Sequence, residues 1–535
     1  YLSFPERGFA RTKEGAGEAI VQMTRRQLLR ATVLGGATFA LASCSTAPVE
    51  QLDIQGPPKR GGSLRVGLVG GSATDTVDAH IPTSSSDATR LINIYDSLVR
   101  RDENYELEYR LATAVEPSPD ATVWTVTLRD NVQFSDGRPV RPEDVIFSYD
   151  RIRDPDDPKS GAASINHIDH MEATGPRELR IVLSEADATL VDSLAEYQMG
   201  IVPEDYDPKN PIGSGPFKLE YFSPGQSTTL VRNDYYWGEA PYLDSVEIVD
   251  FQEEDAMLNA LLSSQVDAIG NLNHSLARVI DADPRLSTLV SETGMWLPLT
   301  MRVDVAPFDD VRVRQAMRLV ADRAQLVDQV YSGEGQVGND MFSIYDPAYP
   351  DFPQREQNIE EAKRLLAEAG YPDGLDVTLN AAEIQTGALR SAQVFAEQAS
   401  AAGINVHINQ VDSSTFFAEG NYLEYPFALT FYYTRNFLQQ VNQCATAASP
   451  FNETHWVDEE FTAKANKART IVDDDKRGEM IRDLQQQLYD DGGYIIWGFA
   501  NQIDAYQNYV VGLQTHPGGI PLGQALFERV WIAEA

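Results

Sequence analysis

The chain has 535 residues, of which 42% are apolar, 9% aromatic and 23% charged, a composition that excludes a disordered, collagen-like or polytopic membrane protein. A single hydrophobic core stops growing at about 250–300 residues, so this length implies about three domains. With 43 Lys+Arg against 80 Asp+Glu the net charge is −37, a surface that repels phosphate backbones and anionic lipid and excludes nucleic acid as a partner.

Residues 1–22 carry no targeting pattern. From Met23, the charged run Thr24-Arg-Arg-Gln-Leu-Leu-Arg30 precedes a largely apolar region of twelve residues at 31–42. That is too short for the about 20 helical residues that span a bilayer. The adjacent arginines resemble a twin-arginine export signal, and Leu41-Ala-Ser-Cys44 resembles a lipobox. The expectation is an upstream extension at 1–22, a signal peptide at 23–43, a lipidated Cys44 and a Pro/Gly-rich tether at 44–60. A buried amphipathic helix is the alternative. Cys44 and Cys444 are the only two cysteines, too few for a disulfide framework, and Cys444 reads as a small buried apolar residue.

Alternation of Leu64, Val66 and Leu68 predicts a strand at 62–69, and the Asp/Ser/Thr-rich run at 74–88 reads as loop. A helix carries Leu91, Ile94, Tyr95 and Leu98. Residues 124–128 form a period-2 strand, Asp136-Gly137 a hairpin turn, and Pro142 starts a helix through Val145, Ile146 and Tyr149. Further strands fall at 179–183, 246–251 and 266–269, and 213–218 opens a strand that continues, after Pro224-Gly225, at 228–232, with a helix at 254–262 and a Pro/Asp-rich connector at 203–211. Helices follow Pro307 and span 360–369, the second closed by Gly370. Strands at 377–379 and 404–408 flank a helix as a βαβ unit. A last helix at 476–489 leads into an apolar strand at 494–499.

Catalytic patterns are scarce. Gly333-Glu-Gly335-Gln-Val-Gly338 matches G-x-G-x-x-G, but a helix precedes it and no helix follows, so it reads as a helix cap and turn. His167 and His170 read as a solvated turn, not metal ligands, and His455 beside Trp456 as a packed or capping residue. Asp473-Asp-Asp475 reads as a dipole-favoured helix start. What stands out is an aromatic set, Trp296, Phe342, Tyr345, Phe431, Tyr432, Tyr433, Trp456 and Trp497, of the kind that walls binding clefts or fills cores.

Several motifs then occur in a telling order: Gly61-Gly-Ser-Leu-Arg-Val, Ile94-Tyr-Asp-Ser-Leu-Val, Trp124-Thr-Val-Thr-Leu-Arg-Asp-Asn-Val-Gln-Phe-Ser-Asp-Gly, Gly213-Ser-Gly-Pro-Phe-Lys-Leu, Asn233-Asp-Tyr-Tyr-Trp-Gly, Phe308-Asp-Asp-Val-Arg and Ala362-Lys-Arg-Leu-Leu-Ala-Glu-Ala-Gly-Tyr-Pro. From about residue 60 onward the chain resembles the extracytoplasmic solute-binding proteins of ABC importers, the peptide, nickel and opine type of family 5. The resemblance implies an α/β, two-lobed periplasmic-binding-protein fold with mixed sheets, a hinge near 294 and 500, and an extra inserted domain. One lobe would comprise 57–85, 207–294 and 500–535, the insertion 86–206, and the other lobe 295–499.

The implied protein is a non-enzymatic, monomeric clamp without cofactor or metal, exported to the periplasm or cell surface. It would touch the membrane only through its lipid and deliver a small solute to permease subunits and their ATPases. A receptor or chaperone-like clamp not coupled to import, and an exported hydrolase, are the alternatives. In peptide-binding members an aspartate three residues past a strand-end aromatic pairs with the ligand's ammonium. The matching stretch, Phe427-Ala-Leu-Thr-Phe-Tyr432-Tyr433-Thr434-Arg435, puts Arg435 there instead, and no acid lies between Glu424 and Glu453. The expected ligand is therefore peptide-like, opine or sugar-acid-like with an anionic group on Arg435. Tyr432, Tyr433, Trp296 and Trp456 would form the walls, and Ser72, Ala73 and Thr74 would supply backbone contacts from the other lobe.

Overall fold

Leu64, Val66 and Leu68 alternate on one face of the strand Ser63–Val69 and are almost completely buried. The structure is a computed structural model and describes residues 56–70, 74–418 and 420–533. The leader, Cys44, Ser72 and Ala73 lie outside the described residues. Gly67 faces the opposite side of the same strand, where a Cβ would come within 2.9 Å of the Phe251 ring and 3.1 Å of Ile269. Both faces of this strand are therefore covered, one by the helix Glu254–Leu262.

Ser63–Val69 lies inside an eight-stranded sheet, running parallel to Ser245–Phe251 on one side and to Ala268–Ile269 on the other. The hairpin Phe217–Ser223/Ser227–Arg232 extends one edge, while Gly498–Gln507 and Leu286–Trp296 extend the other, antiparallel. A five-stranded sheet holds the expected βαβ unit: Leu375–Ala381 and Ile404–Gln410 pair in parallel around the helix Ala388–Ser400. Four antiparallel strands, Ala112–Pro117, Val123–Leu128, Glu178–Leu183 and Ile168–Gly175, form a third sheet with its own core around Trp124, Phe134 and Tyr149.

The chain passes between the two larger sheets twice. Leu286–Trp296 belongs to the eight-stranded sheet and Leu299–Met301 to the five-stranded one, with a crossing at 297–298. The run at 494–499, expected as one strand, is likewise divided into Tyr494–Ile495 and Gly498–Gln507 at 496–497. An uninterrupted apolar run cannot reveal such a change of sheet, because both halves are buried. The G-x-G-x-x-G segment holds a left-handed Ser332 and Gly333 after the helix Arg323–Tyr331. It then forms the strand Gly335–Val337 on Gly498–Gln507, a pairing the turn reading did not include.

Two boundaries moved for physical reasons. The helix Ser85–Ile94 begins inside the expected loop, because Ser84 caps it by accepting from the Asp87 N–H at 3.1 Å. Asp87 in turn accepts from the backbone of Thr76 and Thr83, so the polar residues there serve capping. That helix ends at Ile94, leaving Tyr95 and Leu98 beyond it, where Gly213 and Gly215 pack on its last carbonyls. A Cβ on Gly213 would sit 2.1 Å from the Ile94 oxygen. The helix buries Ala88, Leu91 and Ile94 against the eight-stranded sheet, although its sequence position falls at the start of the expected insertion.

Candidate functional site

A cavity of about 390 Å³ opens where several stretches of the chain meet, the segment with Arg100, Arg101, Tyr105 and Arg110 among them. The turn at 82–85 and the following helix form one wall. Asp192, Glu196, Tyr197 and Gln198 come from the four-stranded-sheet region, residues 431–439 follow the strand Phe427–Leu429, and residues 516–526 close the floor. The volume sits near the lower end of the about 300–1,000 Å³ usual for small-molecule sites.

Thr434 is the fastened point of the 431–439 segment. Its Oγ1 accepts from the Gly294 N–H at 2.9 Å and donates to the Pro517 carbonyl at 2.5 Å, while its own carbonyl accepts from the Tyr105 hydroxyl at 3.0 Å. Those bonds come from the strand Leu286–Trp296, from the loop at 516–519 and from the turn of the hairpin Val99–Arg101/Leu107–Tyr109, so the next residue, Arg435, is presented from a fixed backbone. Arg435 lines the cavity and, among the described residues, makes no hydrogen bond or ion pair. Tyr433, two residues earlier, also lines the cavity and is 38% exposed.

The other arginines there are matched. Arg110 pairs with Asp96 at 3.1 Å, Arg100 with Glu528 at 2.9 Å, and Arg101 with Asp192 while lying over the Tyr105 ring. His516 accepts from the Gly518 N–H through Nδ1 and donates from Nε2 to the Arg101 carbonyl. Its burial pushes the imidazole pKa down to about 4, so the ring is neutral near pH 7.

Among the expected site residues, Tyr433 and Arg435 are brought to the cavity. Trp296, Tyr432 and Trp456 are not, because their apolar surface packs into a core beside the five-stranded sheet. Trp296 is 1% exposed and stacks on Tyr432 at 4.7 Å and on Phe342 at 5.4 Å. The Trp456 indole donates to Asp491 and meets the Phe461 ring edge-on. Thr74 is at the surface and absent from the cavity wall, whose contribution from that side comes from residues 82–85. Of the wider aromatic set, Phe431 joins the cavity and Trp497 packs on Tyr331. Tyr345 meets Tyr105 ring to ring at 5.7 Å.

Beneath Tyr432 lies a group the sequence did not announce. The Glu453 carboxylate is buried and receives the hydroxyls of Tyr422, Thr430, Tyr432 and Tyr494 at 2.5–2.9 Å. Burial pushes its pKa up, and the hydroxyls oppose that shift. Glu196, Tyr197 and Gln198 were also missed. They sit in an aperiodic stretch between the buried Leu194 and Met199, and nothing local marks them as facing a cavity. His167 approaches Asp187 at 3.1 Å, and His455 bridges Asp304 and the Leu423 carbonyl. Among the described residues no group of three His, Cys, Asp or Glu is placed to hold a metal ion. None of their helices is long and apolar enough to cross a membrane.

The family described as bacterial extracellular solute-binding proteins, family 5 (middle region), matches residues 106–451. The oligopeptide-binding protein AppA of Bacillus subtilis (strain 168) is 26% identical over 373 residues, covering 66% of this chain and 68% of AppA. The glutathione-binding protein GsiB of Escherichia coli O1:K1 / APEC is 23% identical over 397 residues, covering 72% of this chain and 74% of GsiB. Among solved structures, the binding protein AgaA of A. tumefaciens R10 in complex with agropinic acid superposes with a TM-score of 0.75 at 26% identity, covering 89% of this chain and 99% of AgaA. With two larger sheets joined by two crossings, a third sheet beside them and a family match over most of its length, this chain belongs to family 5 of the bacterial extracellular solute-binding proteins.

Proposed function

We propose that the protein is the solute-capturing component of an ABC importer, binding a small polar solute with an anionic group in the 390 Å³ cavity and handing it unchanged to a permease. Arg435 carries this reading. A guanidinium that lines a cavity without a protein acceptor offers a bidentate fork to a carboxylate or similar oxyanion. An ammonium in the same place would meet a like charge. A peptide held by its N-terminus at that position is therefore disfavoured, although AppA is named for oligopeptides. AgaA, whose solved complex holds agropinic acid, supports the choice of an acidic solute.

In this reading the two lobes close on the solute about the crossings at 297–298 and 496–497. The insertion at 86–206 supplies one cavity wall, and Cys44 carries the lipid that keeps the exported protein at the membrane. Ser72, Ala73 and Thr74 are the proposed backbone contacts from the other lobe. Mass spectrometry of the solute that co-purifies with the folded protein identifies its class. Truncating one partner of a buried charged contact costs about 2–5 kcal/mol, so Arg435→Ala should weaken that solute at least tenfold. Tight binding of unmodified di- or tripeptides, unchanged in Arg435→Ala, would overturn the proposal.

A further inference from the structure

Once every ion pair in the cavity is counted, two charges remain uncommitted. The arginines lining it are Arg100, Arg101, Arg110 and Arg435, and the first three are paired as described. Of the lining acids, Asp96 and Asp192 are taken by Arg110 and Arg101, which leaves Glu196. Among the described residues, the Glu196 carboxylate accepts only from neutral groups, the Gln198 amide at 2.7 Å and the Ser164 hydroxyl at 3.3 Å.

Glu196 and Arg435 face the same space without touching. They form no ion pair within 4.0 Å, yet the guanidinium acts on the carboxyl electrostatically, lowering its pKa against the larger upward effect of burial. Two phenol rings line the same cavity, Tyr197 at 39% and Tyr433 at 38% exposure. Aromatic faces of this kind attract cations. A cation and an anion held apart in one small cavity are complementary to a molecule bearing the opposite pair of charges.

We infer that the cavity takes a compact zwitterion, its anionic group on Arg435 and a protonated amine on Glu196 beside the rings of Tyr197 and Tyr433. The inference rests on the anionic reading of Arg435 and adds the second half of the site. It places amine recognition on the 190–198 stretch, not at the strand end where peptide-binding members carry an aspartate and this chain carries Arg435. The cavity volume favours a ligand whose two charges lie a few bonds apart over an extended peptide.

The test uses the full chain and one matched set of probes: N-(carboxymethyl)glutamine, its N-acetyl derivative, which keeps the acids and loses the basic nitrogen, and its diamide, which keeps the amine and loses the acids. Titration calorimetry on the wild type, Glu196→Gln and Arg435→Gln reads the affinities. The wild type should prefer the zwitterion at least tenfold over either derivative. Glu196→Gln should abolish only the preference over the N-acetyl form, and Arg435→Gln only the preference over the diamide. Comparison of the three probes on the wild type needs no variant to fold.

If the N-acetyl derivative binds the wild type as tightly as the zwitterion, the amine subsite is refuted while the anionic reading stands. If the diamide binds as tightly as the zwitterion, the anionic reading fails and this inference with it. Binding of none of the three also refutes the inference.

Discussion

Removing the Glu453 carboxylate tests how the segment that presents Tyr433 and Arg435 is held. In Glu453→Ala the hydroxyls of Tyr422, Thr430, Tyr432 and Tyr494 lose their common acceptor. Tyr432 retains the Phe451 carbonyl at 2.9 Å, and Tyr422 and Thr430 retain each other at 2.8 Å. Two hydroxyl protons are therefore stranded, one on Tyr494 and one of the Tyr422/Thr430 pair. A stranded buried donor costs about 1–3 kcal/mol, giving about 2–6 kcal/mol, and the vacated volume adds to it. Relief from burying a carboxylate offsets part of this, so the net loss is about 3 kcal/mol. Glu453→Gln keeps one carbonyl acceptor, and rotating hydroxyls can accept from its amide, so it should cost about 1 kcal/mol. Urea unfolding followed by tryptophan fluorescence reads both variants, with Trp296 stacked on Tyr432 as a local reporter. An alanine variant that loses less than about 1 kcal/mol, or a glutamine variant as damaged as alanine, would refute the reasoning.

Three further outcomes are expected. His516 has a folded pKa near 4 against an ordinary 6.5, so the unfolded chain takes up its proton first as pH falls. Its contribution is present above about pH 6.5 and lost towards pH 4, about 3 kcal/mol in all. Thermal melting across that range should be less steep in His516→Gln, and an unchanged slope counts against a neutral buried ring. Small-angle scattering should show a smaller radius of gyration when the co-purified solute is restored to stripped protein; no contraction at saturation would reject the clamp. Cys44→Ala should release the protein from the membrane fraction of its host, because stable attachment needs the acyl chains at about 0.8 kcal/mol per buried CH₂. Full retention would reject the lipid anchor.

Period and punctuation alone determined much of this protein. The strand at 63–69, the helix at 254–262, the turn at Asp136-Gly137 and the βαβ unit were all legible, because each obeys a local rule of alternation, capping or turn chemistry. The order of the motifs carried the family, and the reversed charge at Arg435 was visible as an absence of acid over nearly thirty residues.

Tertiary structure decided the rest, for reasons that act between distant residues. Aromatic side chains look alike in sequence whether they line a cleft or fill a core. Only packing sends Trp296, Tyr432 and Trp456 inward and leaves Tyr433 facing the cavity. Glu453 and Glu196 are ordinary acids in sequence, and their roles depend on partners brought from elsewhere in the chain. One is buried under four hydroxyls, and the other faces a guanidinium 239 positions away that it does not touch. The pairing that leaves one cation and one anion uncommitted exists only once the fold has brought several separate stretches around one cavity.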